Sequence, residues 1–280
     1  MTVAAAAGAL AGATAAPHVL PPAAIIVTSS TPLWYLTRAT GLVALVLLTL
    51  SMAFGLLSSV RYQRPAWPRF VTIGLHRNTS LLALAFTLIH IVTTLLDSFV
   101  PIHVQDVVIP FISAYRPVWL GLGAISFDLL LALTVTSLLR TRMSYPSWRL
   151  VHWTSYLCWP VAVLHGLGTG TDTPVHWVLG LTIACVAVIA ALTAWRLAYG
   201  WPSHAAARLV GALALVLTLI AGGAWLTAGP LAPGWVRRAG TPQHVAESSA
   251  KVSSAPNDQP VRGGRLGHIR QQGRTSGGAR

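Results

Sequence analysis

The chain has 280 residues, 54% of them hydrophobic and only 9% charged, with a mean hydropathy of +0.64. That composition excludes a water-soluble globule with an ordinary charged surface and points to an integral membrane protein. The formal charge of +13 does not indicate nucleic acid, because the arginines fall in short loops between apolar runs and in the stretch after residue 235.

Residues 1–33 carry no charged side chain and are rich in Ala and Pro. They lack the basic n-region of a secretory signal, so the expectation is an uncharged, translocated N-terminal tail. Apolar runs follow at 34–59, 71–96, 117–139, 148–167, 175–197 and 206–228. Each is near the roughly 20 residues that a helix needs to cross a hydrocarbon core about 30 Å thick. No alternating strand pattern occurs, and helices satisfy their own backbone groups in lipid. The expected fold class is therefore an all-α membrane protein, a six-transmembrane-helix bundle. Residues 34–198 form its five-helix core, 206–228 an additional helix, and 229–280 a basic tail of Arg, Gly, Ser, Gln and Pro, expected to be disordered. Cys158 and Cys185 both lie in apolar runs, where they read as packing residues. Two cysteines build neither a disulfide framework nor a zinc or iron–sulfur set.

Orientation follows from the short loops. Arg61, Arg64 and Arg69, then Arg140, Arg142 and Arg149, then Arg196 and Arg208 mark three loops as cytoplasmic. The alternate loops hold Asp97, Asp106 and Asp172 with only Arg116, which places both termini outside. The basic tail disagrees, but long segments translocate largely regardless of charge.

Two histidine pairs then stand out. His76 and His90 share the second run, and His152 and His165 share the fourth. With two crossings between them these helices run in the same direction, so His76 can face His152 and His90 can face His165. The fourteen-residue step on the second run rises about 21 Å and returns to within about 40° of one helix face; the thirteen-residue step on the fourth rises about 19.5 Å but misses by about 140°. Pro160 lies between His152 and His165, and a kink there is the expected repair. Ionisable groups inside a membrane are functional by default, and imidazole suits iron. Four such groups at matched depths suggest axial ligands of two stacked haems. Asp128, near the middle of the third run, is expected to be protonated, paired or exposed to water, with a proton-pathway role and a plain helix-to-helix hydrogen bond both open. His103, His176, His18, His204, His244 and His268 read as solvated loop or tail residues. The tryptophans at segment ends, among them Trp34, Trp67, Trp119, Trp148, Trp177, Trp201 and Trp235, fit an interfacial belt.

The stretches GLHRNTSLLALAFTLIHIVTTL (74–95) and SWRLVHWTSYLCWPVAVLHGLGTG (147–170) resemble the two haem-ligating helices of the ferric reductase-like transmembrane domain. That superfamily contains the membrane parts of NADPH oxidases and ferric-chelate reductases and the haem subunit of a bacterial methionine sulfoxide reductase system. The thirteen and twelve residues between the histidines match the oxidase pattern, and the resemblance covers roughly 34–198. It implies two b haems, the cytoplasm-facing one on His76 and His152 and the outer one on His90 and His165. Haem carboxylates would need cations near the water boundary, for which Arg77 and Arg149 lie near the inner pair and Arg116 near the outer.

The sequence departs from the oxidases in showing no GxGxxG after a strand and no βαβ pattern, so no NAD(P)H/FAD domain of its own is expected. An oxidoreductase component of this kind needs a separate electron donor, a flavoprotein or quinol. Its acceptor would be ferric iron, oxygen or an extracytoplasmic redox partner, which includes a flavin-binding protein; FMN or FAD stays open as a further cofactor, though no motif shows it. The setting is a multi-pass protein in the lipid bilayer of the plasma membrane, with no nucleic-acid partner. The alternative is a haem-free membrane transporter or scaffold whose histidines bind a transition metal or a proton.

Overall fold

The structure is a computed structural model that describes residues 32–60, 68–98, 100–199 and 202–243. The stretch 1–31, Arg61, Arg64, Trp67, Trp201, His18, His244, His268 and the basic residues after 243 lie outside the described residues. Those described form helices α1 (Pro32–Ser59), α2 (Arg69–Leu96), α3 (Val104–Val108), α4 (Pro117–Leu138), α5 (Tyr145–Trp153), α6 (Ser155–Thr169), α7 (His176–Ala198), α8 (Ala205–Ala228) and α9 (Trp235–Arg238), with no strand among them. Local chemistry explains several boundaries. Pro117 opens α4, where the missing N–H costs nothing, and the Ser144 hydroxyl accepts from the Ser147 N–H to start α5. Along the apolar spans, hydroxyls satisfy themselves on the preceding turn, as Thr40 does on Leu36 O at 2.8 Å and Thr87 on Ala83 O at 2.8 Å.

Five helices, α1, α2, α4, α7 and α8, are each long and apolar enough to cross a membrane. The run expected as a single fourth span is divided into α5 and α6. At the division, the Thr154 N–H and its Oγ1 both donate to Val151 O, at 3.0 and 2.7 Å, which tightens the chain to a three-residue turn. The break therefore falls at Thr154 and not at Pro160, which stays inside α6. It lies between His152 and His165, where an uninterrupted helix would leave the two rings about 140° apart.

α1 packs along α2, α6 packs along α4, and α1 also meets α6 and α7. The main core cluster, Ala53, Leu56, Trp159, Val163, Cys185 and Ile189, is the seam of α1, α6 and α7. Leu130 and Leu133 of α4 close on Cys158 in a second cluster. Both cysteines are free and buried, as their apolar surroundings suggest. Because lipid is as apolar as leucine, close approach and internal hydrogen bonds hold such a bundle together more than burial does. Ala83, fully buried, and the Trp159 Nε1 bond to Thr49 Oγ1 at 3.0 Å are of this kind. α8 rests on α7 and buries no residue, while Leu213, Leu217 and Ile220 stand exposed on it as lipid-facing side chains do.

The chain after α8 differs from expectation. Residues 229–243 are folded back on the bundle, with α9 inside them, instead of beginning an irregular tail. The Arg116 N–H donates to Gly240 O at 3.0 Å, and Gly240 has φ +85° with Pro117 so close that a Cβ would meet its ring at 3.1 Å. Glycine is required there.

Candidate functional site

The rings of His76 and His152 face each other with centroids 6.0 Å apart and planes at 79°; those of His90 and His165 lie 6.4 Å apart at 81°. An imidazole nitrogen sits about 2.0 Å from a bound first-row metal, with the ring centre a little over 1 Å behind it, so two rings facing one ion stand roughly 6.3 Å apart. Both pairs have that spacing. They bridge the space between α2, which leans on α1, and the α5–α6 segment, which leans on α4.

Three of the four rings are oriented by main chain. Nδ1 of His76 donates to Ser51 O at 2.8 Å, Nδ1 of His90 to Thr37 O at 2.8 Å, and Nδ1 of His165 to Trp119 O at 2.9 Å. A carbonyl only accepts, so the proton sits on Nδ1 and the Nε2 lone pair is left for a ligand. His152 is held differently. Its ring stacks on Trp148 at 4.8 Å and 22°, and its buried Nδ1 has no hydrogen-bond partner among the described residues.

Glycines make room for the rings. A Cβ on Gly41 would meet the His90 ring at 3.0 Å, one on Gly55 the His76 ring at 3.4 Å, and one on Gly123 would overlap the His165 ring outright. Gly41 and Gly55 stand fourteen residues apart on α1, the same step as His76 to His90 on α2. Sequence reading missed them, and that shared spacing was the available signal.

The expected cations are more scattered. Arg77 is exposed on α2; Arg149 is exposed on α5 with its guanidinium over the rings of Tyr145 and Trp153, at 5.7 and 5.2 Å. Arg116 is fully buried beyond the His90–His165 pair. Its Nη1 donates to Gly168 O at 2.8 Å and Thr169 O at 3.0 Å, one turn past His165, and its Nε to Thr241 Oγ1 at 2.9 Å. It holds a left-handed backbone at φ +43° as the residue before α4. Burial pulls its pKa down from the ordinary value, and burial pushes the neighbouring Tyr115 phenol up. A guanidinium keeps its charge at neutral pH nonetheless. Sequence reading also passed over Arg38, inside the first turns of α1, which forms an ion pair with Asp172 and bonds Thr171 Oγ1 at 2.9 Å. Asp128 is exposed on α4, and His103, His176 and His204 are exposed, outside both pairs.

These features define a multi-pass helical membrane protein with two facing imidazole pairs at two depths. Residues 40–163 match the family model described as the ferric reductase like transmembrane component. The matched stretch is similar to that component; it includes His76, His90 and His152 and ends two residues before His165. No curated protein and no solved structure gives a significant match.

Proposed function

We propose that this protein is a membrane b-type cytochrome that moves electrons across the bilayer, with His76 and His152 as axial ligands of one haem b and His90 and His165 of a second. The observation that carries this reading is the pair spacing of 6.0 and 6.4 Å between ring centroids. Each pair offers only two nitrogens, and among the described residues no three His, Cys, Asp or Glu side chains gather as a metal site. A bare zinc would want four ligands, whereas a porphyrin brings its own equatorial nitrogens and needs two axial ones. The donor set and the glycine cradles at Gly41, Gly55 and Gly123 fit that group.

When bound, haems with two axial imidazoles supply one-electron carriers without an open coordination site. The protein's part is to hold the rings: carbonyls of Ser51, Thr37 and Trp119 fix three of them and raise their basicity. Arg77 and Arg149, at the His76–His152 end, are the cations there for haem carboxylates. Arg69, Arg140, Arg142, Arg149, Arg196 and Arg208 mark that end as cytoplasmic, so electrons leave at the His90–His165 end toward ferric iron, oxygen or an extracytoplasmic redox partner. A separate flavoprotein or quinol supplies them, and the membrane is the plasma membrane.

Visible absorption of the purified protein tests this reading. Dithionite reduction is expected to give the sharp Soret and α bands of low-spin b haem. A featureless spectrum after haem-supplemented expression would favour a haem-free permease or scaffold.

A further inference from the structure

A cavity of about 300 Å³ lies at the His90–His165 end of the bundle, between the α6–α7 loop at Gly170 and Thr171 and the folded segment after α8 from Pro230 to Val236. Arg116 and Trp235 both line it. Each keeps a buried donor, Arg116 Nη2 and Trp235 Nε1, that has no hydrogen-bond partner among the described residues. No carboxylate pairs with Arg116 among the described residues, since the nearby Asp172 is taken by Arg38. A buried guanidinium without a counter-charge is destabilising, and each unpaired buried N–H adds to that. Donors in excess and a positive charge on residues that line a cavity define what is complementary: an anion with at least two acceptor oxygens.

We propose that this cavity is an oxyanion site in which Arg116 Nη2 and Trp235 Nε1 bind a carboxylate or phosphate group. Trp235 lies outside the family-matched stretch, so the site is built jointly by the conduit and the folded segment that follows α8. Trp119 connects the two: its carbonyl receives His165 Nδ1, and its ring packs on Trp225 and Trp235 at 5.0 and 5.3 Å. The oxyanion has two sources, a free anion from solution or a carboxylate of the outer haem. Only the second rests on the redox reading above.

Thermal unfolding of the full-length protein in detergent separates the sources. In protein prepared without haem, inorganic phosphate or citrate is expected to raise the unfolding midpoint saturably, where chloride at matched ionic strength does not. Trp235→Phe, which removes one donor and keeps the ring, should weaken the apparent affinity severalfold, and Arg116→Gln at least tenfold. If a haem carboxylate is the occupant, loading with haem abolishes the phosphate effect. Haem dimethyl ester then leaves the effect intact and is retained more weakly than haem by the wild type, by a smaller margin in Trp235→Phe and a smaller one still in Arg116→Gln. If free anions are the occupants, the phosphate effect survives loading with ordinary haem. A chain that takes up no haem ends the redox reading while the anion titration still decides this one. The proposal is overturned if haem-free wild type shows no saturable anion effect and the variants hold the ester and the free acid in the wild-type ratio.

Discussion

At the scale of single residues, the four histidines were legible because an ionisable ring in an apolar run has few reasons to be there, and the two crossings between their runs set His76 opposite His152 and His90 opposite His165. What surrounds the rings was not. Backbone carbonyls leave no mark in a sequence, and the three cradle glycines gain their meaning from α1 lying along α2, for Gly41 and Gly55, and α4 along α6, for Gly123. The cradle gives a graded expectation. Gly123→Ala should expel the His165 ring and with it most of the haem of that pair, Gly41→Ala should weaken the His90 site, and Gly55→Ala, at ordinary contact distance of 3.4 Å, should leave the His76 site intact. Haem-to-protein ratios of the three variants check the order; equal ratios would refute the cradle. The rings cross at 79° and 81°, so the ferric protein should give the strongly anisotropic low-spin electron paramagnetic resonance signal of perpendicular imidazoles. A rhombic signal typical of parallel rings would contradict that geometry. Arg116 was the residue least readable in advance: as a loop cation near the outer pair it gave no sign that its buried side chain ties α6 to the segment after α8.

At the scale of elements, five of the six apolar runs became single helices because length and apolarity are all that a span requires. The fourth was misjudged in form. Its phase mismatch was visible as angular arithmetic, but the proline drew attention from Thr154, whose hydroxyl and amide converge on one carbonyl. Residues 229–243 differ from the expected irregular tail for another reason: they are polar in composition, yet Trp235 and the positive-φ residues Gly234 and Gly240 let them fold onto tryptophans of α4 and α8. Helix association has its own test at Thr49, whose Oγ1 accepts the Trp159 indole N–H across the α1–α6 seam. Thr49→Val keeps the shape and removes the acceptor, and should cost about 1 kcal/mol. Thr49→Ser should cost less than half as much. Reversible unfolding in mixed micelles reads the difference, and indistinguishable variants would show that the bond contributes nothing.

For the whole molecule, composition and the count of apolar runs were enough to place the chain in a bilayer, and the matched domain at 40–163 agrees with the resemblance carried by the two histidine stretches. The fold explains why those stretches can work together: α2 and α5–α6 are each backed by another helix, which leaves their histidine faces opposed at two levels about 21 Å apart along the axis. Donor and acceptor are properties of other molecules, and nothing in this chain's composition encodes them.

The most direct measurement is the haem-to-protein ratio of the purified protein and of variants lacking one ligand from each pair. The account expects about two haems per chain in the wild type, and about one in both His90→Leu and His76→Leu, with the surviving centre still low-spin. A wild-type ratio that neither substitution changes would contradict it.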